Sequence, residues 1–194
     1  MNYMKNAHKT IGLLLMIMLA TTALFPRKVS AAVSSKDLRA LSMASAQIIA
    51  SQIVTPEMND YSKAQAIHDW IINNTQYDYM NYMAGTVPSA SYNKEGVFLN
   101  HIAVCSGYAD AFSYLSKLVG LKCEIVDGIA SSDGIAGSHA WNRVMIDGNW
   151  LYIDCTWDDP VCLDGSSTLT YNYFLIPYEA MAADHIQQTA YRRY

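Results

Sequence analysis

The stretch from His139 to Trp157 reads HAWNRVMIDGNWLYIDCTW, and its centre decides the fold. Apolar residues alternate on either side of Asp147-Gly148, a pair suited to the two-residue turn of a β-hairpin. A strand is expected over residues 139–146 and a return strand over 150–155. With a two-residue turn Ile146 pairs with Asn149, and His139 falls opposite Thr156. Asp154 then becomes the diagonal neighbour of His139 on the same face. A three-residue turn would send Asp154 to the other face.

Working outward, residues 122–129 keep the period of two and read as another strand, followed by a Gly/Ser loop over 131–138. Upstream the period changes. Ala109, Phe112, Leu115 and Leu118 form one face of a helix running from Cys105 to about residue 119, and Gly120 marks its stop. Residues 74–94 form a polar, Tyr-rich loop. A helix before it presents Ala64, Ile67, Trp70 and Ile71 and ends at Asn73-Asn74; it starts at Thr55 with Pro56 in its first turn, or restarts near Ser62. Residues 36–53 carry Leu38, Leu41, Ala44, Ile48, Ile49 and Ile53 at helical spacing, with Ser35 as N-cap. Downstream, a loop rich in Asp, Gly and Ser leads to a strand at 171–176. Helices first and then an antiparallel sheet make an α+β fold.

The chain has 194 residues, 52% of them hydrophobic and 15% charged. That apolar content excludes a disordered chain, and the length can bury a core without disulfide or metal staples. No heptad, collagen-like period or long internal repeat occurs, which removes fibres and solenoids. Residues 1–31 stand apart: Lys5 and Lys9 precede an apolar run from Ile11 to Ala20, no acid occurs before Asp37, and Val29-Ser30-Ala31 offers small residues for cleavage. This is the three-part pattern of a secretory signal peptide. The rival is an uncleaved anchor, but even stretched to Phe25 the run covers about 15 residues against the roughly 20 that a membrane span needs. Export to the cell surface or beyond is expected, with cleavage near Ala31 and no stable membrane insertion afterwards. Removing the leader takes away four basic residues and leaves nine against 17 acidic ones, a net charge of −8. Such a surface repels phosphate backbones, so nucleic acid is excluded as a partner.

Cys105 sits where loop becomes helix, in Val-Cys-Ser-Gly-Tyr-Ala. A thiol there faces the positive end of the helix dipole, which favours the thiolate. Gly107 lets another element pack closely. A buried Cys acting as a small apolar residue is the commoner role for such a residue taken alone. His139 and Asp154 shift the balance, because a carboxylate beside an imidazole fixes its tautomer and the imidazole can hold a thiol proton.

Four segments carry a resemblance: Ala66-Ile67-His68-Asp69-Trp70-Ile71, Val104-Cys105-Ser106-Gly107-Tyr108-Ala109, His139-Ala140-Trp141-Asn142 and Ile153-Asp154-Cys155-Thr156-Trp157-Asp158-Asp159-Pro160. In order and spacing they resemble the bacterial transglutaminase-like superfamily, and the likeness extends to Tyr173-Phe174-Leu175, covering residues 61–178. The resemblance implies a papain-like α+β fold with Cys105 as nucleophile, His139 as base and Asp154 as orienting group. Together with the leader pattern, it divides the chain into a leader (1–31), an N-terminal helical segment (32–60) and a catalytic domain (61–194). The implied activity is attack on an amide carbonyl through a thioester, ending in hydrolysis or transamidation of a protein, peptide or cell-wall peptide by a monomer. The alternative is a non-catalytic cell-surface module that holds peptide or wall polymer in the same cleft.

Other candidates are weaker. Trp141, Trp150 and Trp157 can wall a cleft or simply pack. Tyr77, Tyr79, Tyr82 and Tyr92 can grip a peptide or sugar, or line a wet loop edge. Tyr92, upstream of Cys105, is a candidate oxyanion donor alongside the Cys105 backbone N–H. His68 and Asp69 read as packing and hydrogen-bonding residues. No close-spaced ligand pair of the Cys-x-x-Cys or His-Glu-x-x-His kind occurs, and Asp158, Asp159 and Asp164 lack the spacing of a calcium loop, so neither metal nor cofactor is expected. With Cys105 kept free, Cys123 reads as a buried small residue, while Cys155 and Cys162 are near enough to bridge or to stay reduced.

Overall fold

The computed structural model describes residues 34–132, 134–161 and 168–188; the leader and Cys162 lie outside them. Among the described residues the order is α1 (Ser35–Ile53), α2 (Asp60–Asn74), β1 (Gln76–Tyr77), α3 (Tyr79–Ala84), a 3₁₀ turn (Ser89–Tyr92), a π-type turn (Gly96–Asn100), β2 (Ile102–Ala103), α4 (Cys105–Leu118), β3 (Cys123–Ser132), β4 (Ile135–Ile146), β5 (Asn149–Ile153), α5 (Tyr178–Met181) and β6 (His185–Gln187). β3 to β6 form an antiparallel sheet in the order β5-β4-β3-β6, and β1 and β2 pair in a short parallel ladder. The architecture is α+β.

α4 lies at the centre. Tyr108, Phe112 and Leu115 on it join Ile67 and Ile71 of α2 and Val144 and Ile153 of the sheet in one core. Burying side chains of this size stabilises by about 1.5–3 kcal/mol each. α2 begins as its local sequence dictates: the Asn59 side chain accepts the Ser62 N–H at 2.8 Å, and residues 55–58 form a separate turn before it.

The face expected on α1 is rotated. Leu41 and Ile48 are 54% and 58% exposed, whereas Ser42, Ala46, Ile49 and Ala50 are buried. Small residues let this helix approach α4 closely, so side-chain size overrode hydrophobicity in choosing the face. Ser35 is the first helical residue rather than the cap.

The decisive hairpin has its two-residue turn. Asp147 and Gly148 adopt φ of 48° and 83°, and Ile146 pairs with Asn149. The ladder runs to Asn142–Ile153 and stops there. His139 and Thr156 therefore do not pair, because the chain leaves the sheet after Ile153 and turns, the Asp158 N–H donating to the Asp154 carbonyl at 3.1 Å.

Two further expectations are corrected, and one strand was not expected at all. The loop expected over 131–138 is strand, since Ser131 pairs with Ala136 and Ser132 with Ile135; ladder bonds override the weak β-propensity of Gly and Ser. The strand expected at 171–176 is absent. Leu175 takes φ 53°, which breaks extended backbone, and only Ile176 bridges, to Tyr152. β6 carries no clear strand pattern, yet it adds to β3 with Ala130 opposite His185. Gly128 permits that addition: a Cβ there would meet the Ile186 carbonyl oxygen and, at 2.7 Å, Cη2 of Trp141.

Candidate thiol site

Cys105 opens α4, preceded by Val104 in extended conformation. The Cys105 amide belongs to the first turn, which has no intrahelical acceptor for its N–H groups. Gly107 explains how the thiol is held. A Cβ at this position would lie 2.5 Å from the Ser91 carbonyl oxygen and 2.8 Å from the Ala103 Cβ, so the 3₁₀ turn and β2 press onto the first helical turn. The Ser106 hydroxyl donates to the Tyr92 carbonyl at 3.0 Å and ties the same turn down.

β4 brings His139 to the thiol, and the turn after β5 brings Asp154 to His139. His139 lines the same cleft as Cys105, and its Nε2 donates to Asp154 Oδ2 at 2.6 Å. With Nε2 engaged by a carboxylate, Nδ1 is the nitrogen left for sulfur. Burial alone would lower the affinity of His139 for its proton. The charge and hydrogen bond of Asp154, helped by Cys105, outweigh that and push it up to about 10. Burial would raise the Asp154 carboxyl, but His139 and then His185 hold it well below the usual range.

Asp154 has all four acceptor positions filled. Oδ1 accepts the N–H groups of Thr156 at 2.9 Å and Trp157 at 3.2 Å, while Oδ2 accepts from His139 and from His185 Nε2 at 3.0 Å. His185 was not among the sequence candidates. It lies 31 residues beyond Asp154 in a segment without a motif, and its only signal was a histidine following an aspartate.

Cys105 and His139 open onto a cleft of about 460 Å³ walled by Tyr77, Tyr82, Ile135, Trp157 and Val161. Trp157 stands there. Trp141 does not: it is 2% exposed and packs behind His139 and His185, with ring centroids 6.0 Å and 4.9 Å away. Trp150 lies outside the cleft lining, with Arg143 and Lys122 over its ring at 4.2 Å and 5.2 Å. Tyr92 is also outside the lining and its side chain is exposed. Of the two cleft tyrosines, Tyr77 has its hydroxyl raised well above its ordinary range by burial and then by the nearby Cys105.

The remaining polar groups have other partners. His68 is buried between Asp69 (2.9 Å) and Asp158 (3.1 Å). Asp159 accepts the Tyr108 hydroxyl at 2.6 Å, and burial raises its carboxyl to about 6. Cys155 is a free, buried thiol; burial also pushes the Cys123 thiol up to about 12. Among the described residues, His139, Asp154 and His185 are the group whose ligand atoms converge, within 4.8 Å. Their separations of 2.6 and 3.0 Å are those of hydrogen bonds. Two ligands on a tetrahedral zinc ion stand about 3.3 Å apart, so this arrangement fits protons rather than a metal.

Known proteins align with this chain in both sequence and fold. It is 26% identical over 149 residues to the kyphoscoliosis peptidases of Homo sapiens and Mus musculus, covering 71% of this chain but only 22% of each of those proteins. The solved structure of a TGase superposes with a TM-score of 0.52 at 19% identity, covering 73% of this chain and 37% of that one. A candidate cysteine protease from Cytophaga hutchinsonii superposes with a TM-score of 0.51 at 20% identity, covering 82% and 48%. At such identities the structural likeness speaks for the fold. The sequence model that describes the transglutaminase-like superfamily matches residues 47–155, more than half of the chain and all three of Cys105, His139 and Asp154, and the chain belongs to that superfamily.

Proposed function

We propose that this protein is an exported thiol enzyme that attacks amide carbonyls. The observation that carries the reading is the hydrogen bond from His139 to Asp154 at a cleft that Cys105 and His139 both line. Cys105 sulfur adds to the carbonyl carbon as the C=O π bond becomes an oxyanion. The Cys105 backbone N–H, with the Tyr77 hydroxyl as second donor, holds that oxyanion. When the C–N bond breaks, the amine leaves with the proton from His139, and the acyl group stays as a thioester. In the second half His139 takes a proton from water or from an amine, which attacks the thioester and regenerates the thiol. Water makes the enzyme a peptidase or amidase; an amine makes it a transglutaminase.

The substrates are proteins or peptides outside the cell, including wall peptides, since the leader pattern at residues 1–31 directs export. Among the described residues no helix is long and apolar enough to cross a membrane. A mass-spectrometric screen of peptide donors, with and without an added primary amine, tests the reading. Loss of mass as ammonia or amine, and an acyl adduct on Cys105, are expected. A thiol that resists iodoacetamide at pH 6 in folded protein, together with no turnover of any donor, favours a module that only binds peptide.

A further inference from the structure

His185 is 2% exposed, and carboxylates face both of its ring nitrogens: Nε2 lies 3.0 Å from Asp154 Oδ2, and Nδ1 lies 2.5 Å from Asp184 Oδ1. Asp184 is held in turn by the Tyr173 hydroxyl, which donates to its Oδ2 at 2.6 Å. An ionised carboxylate only accepts, so both ring nitrogens must donate, and the ring then carries two protons and a positive charge. Its other neighbours suit a cation. Trp157, Trp141 and Tyr173 surround it with ring centroids at 4.5, 4.9 and 5.4 Å, and aromatic π-faces attract positive charge. Among the described residues the remaining charged or titratable neighbour is His139, 5.5 Å away between ring centroids.

We propose that His185 is a positioning residue of the Cys105–His139–Asp154 site, a doubly protonated imidazole clamped between Asp184 and Asp154 that fixes the Asp154 carboxylate against His139. The inference rests on the function proposed above but concerns a different atom set. Asp154 Oδ1 is fixed by two backbone amides, so the carboxylate can still turn about the line from those amides; the second imidazole on Oδ2 removes that freedom. The positive charge also opposes excessive pull by Asp154 on the His139 proton, which must leave His139 in each acylation. The clamp exists because β6 closes on β3 over Gly128, the only residue type that fits beneath the Ile186 carbonyl.

Two variants separate charge from support. His185→Gln keeps an N–H for Asp154 and loses the charge, whereas His185→Phe loses both. Ring-nitrogen NMR of the wild-type protein should show both His185 nitrogens protonated at pH 7, and a neutral single tautomer would overturn the proposal. In both variants the pH at which His139 loses its proton should rise by about two units, the size expected for removing a charge about 5.5 Å away at an effective dielectric near 20. kcat should fall about 10- to 100-fold in the Phe variant with KM within twofold, and recover most of the loss in the Gln variant, because the interaction acts on proton transfer rather than substrate. An unshifted His139 titration in folded His185→Gln protein would sink the proposal even if the Phe variant fails to fold. The NMR readings need no turnover, so an inactive wild type would count against the proposed function and leave the clamp to be judged by itself.

Discussion

Among the described residues two imidazoles are buried between pairs of carboxylates, and they differ in what they face. His185 lies between Asp184 and Asp154, and through Asp154 it reaches His139, Cys105 and the cleft. His68 lies between Asp69 and Asp158 with no exposure at all, stacked on Tyr171 at 5.3 Å and tilted against Phe174 at 4.8 Å. Asp158 also accepts the Thr170 hydroxyl and the Tyr173 N–H, each at 3.0 Å, so the His68 group ties α2 to the segment after β5. Tyr173 belongs to both groups, its N–H on Asp158 and its hydroxyl on Asp184. The same residue types thus make a structural tie where no nucleophile is in reach and a candidate proton-handling site where one is. Residue chemistry alone does not separate the two; access to Cys105 does.

Mutations should therefore split into those that stop chemistry and those that loosen the fold. The largest effect is expected from Cys105→Ala, which should abolish turnover and thioester formation while leaving the melting temperature near that of wild type; residual turnover would move the nucleophile elsewhere. Asp154→Asn comes next and should cut kcat by roughly 10- to 1,000-fold, the range of general acid–base assistance. One oxygen of Asp154 serves His139 and the other caps the turn at Thr156 and Trp157, so the melting temperature should fall as well. A drop in melting temperature with an unchanged rate per folded molecule would leave a Cys105–His139 pair.

On the other side of the comparison, His68→Leu should strip a donor from buried Asp158 at a cost of about 1–3 kcal/mol. The melting temperature then falls by several degrees while kcat per folded molecule stays unchanged, as thermal unfolding and an active-site titration on one preparation will show. A lowered kcat would mean that Tyr173 transmits the disturbance to Asp184. The smallest effect is in pH. His139 holds its proton more tightly folded than unfolded, so its contribution to stability is fully present below about pH 6.5 and fades as pH rises through about 10. Asp154 has the opposite sign: its contribution is present above about pH 4 and fades on acidification. Melting temperature against pH should fall at the alkaline end, and His139→Gln should flatten that fall.

The fold class, the Asp147-Gly148 turn, the start of α4 at Cys105 and the register as far as Ile153 could all be read from the sequence. Each rests on local rules: alternation, permissive turn residues and helix-stop signals act over a few residues and do not depend on the rest of the chain. The buried face of α1 could not be read that way, because Ser42, Ala46 and Ala50 were selected by the closeness of α4 rather than by their own hydrophobicity. Nor could the way Asp154 meets His139, since the chain leaves the sheet after Ile153 and makes the contact from a turn. Tertiary structure alone seats Tyr77 on the cleft, takes Trp141 and Tyr92 off it, and sets His185 on Asp154. Those placements depend on β6 returning across Gly128 and on the 3₁₀ turn pressing on Gly107, contacts between segments distant in sequence whose positions no local pattern encodes.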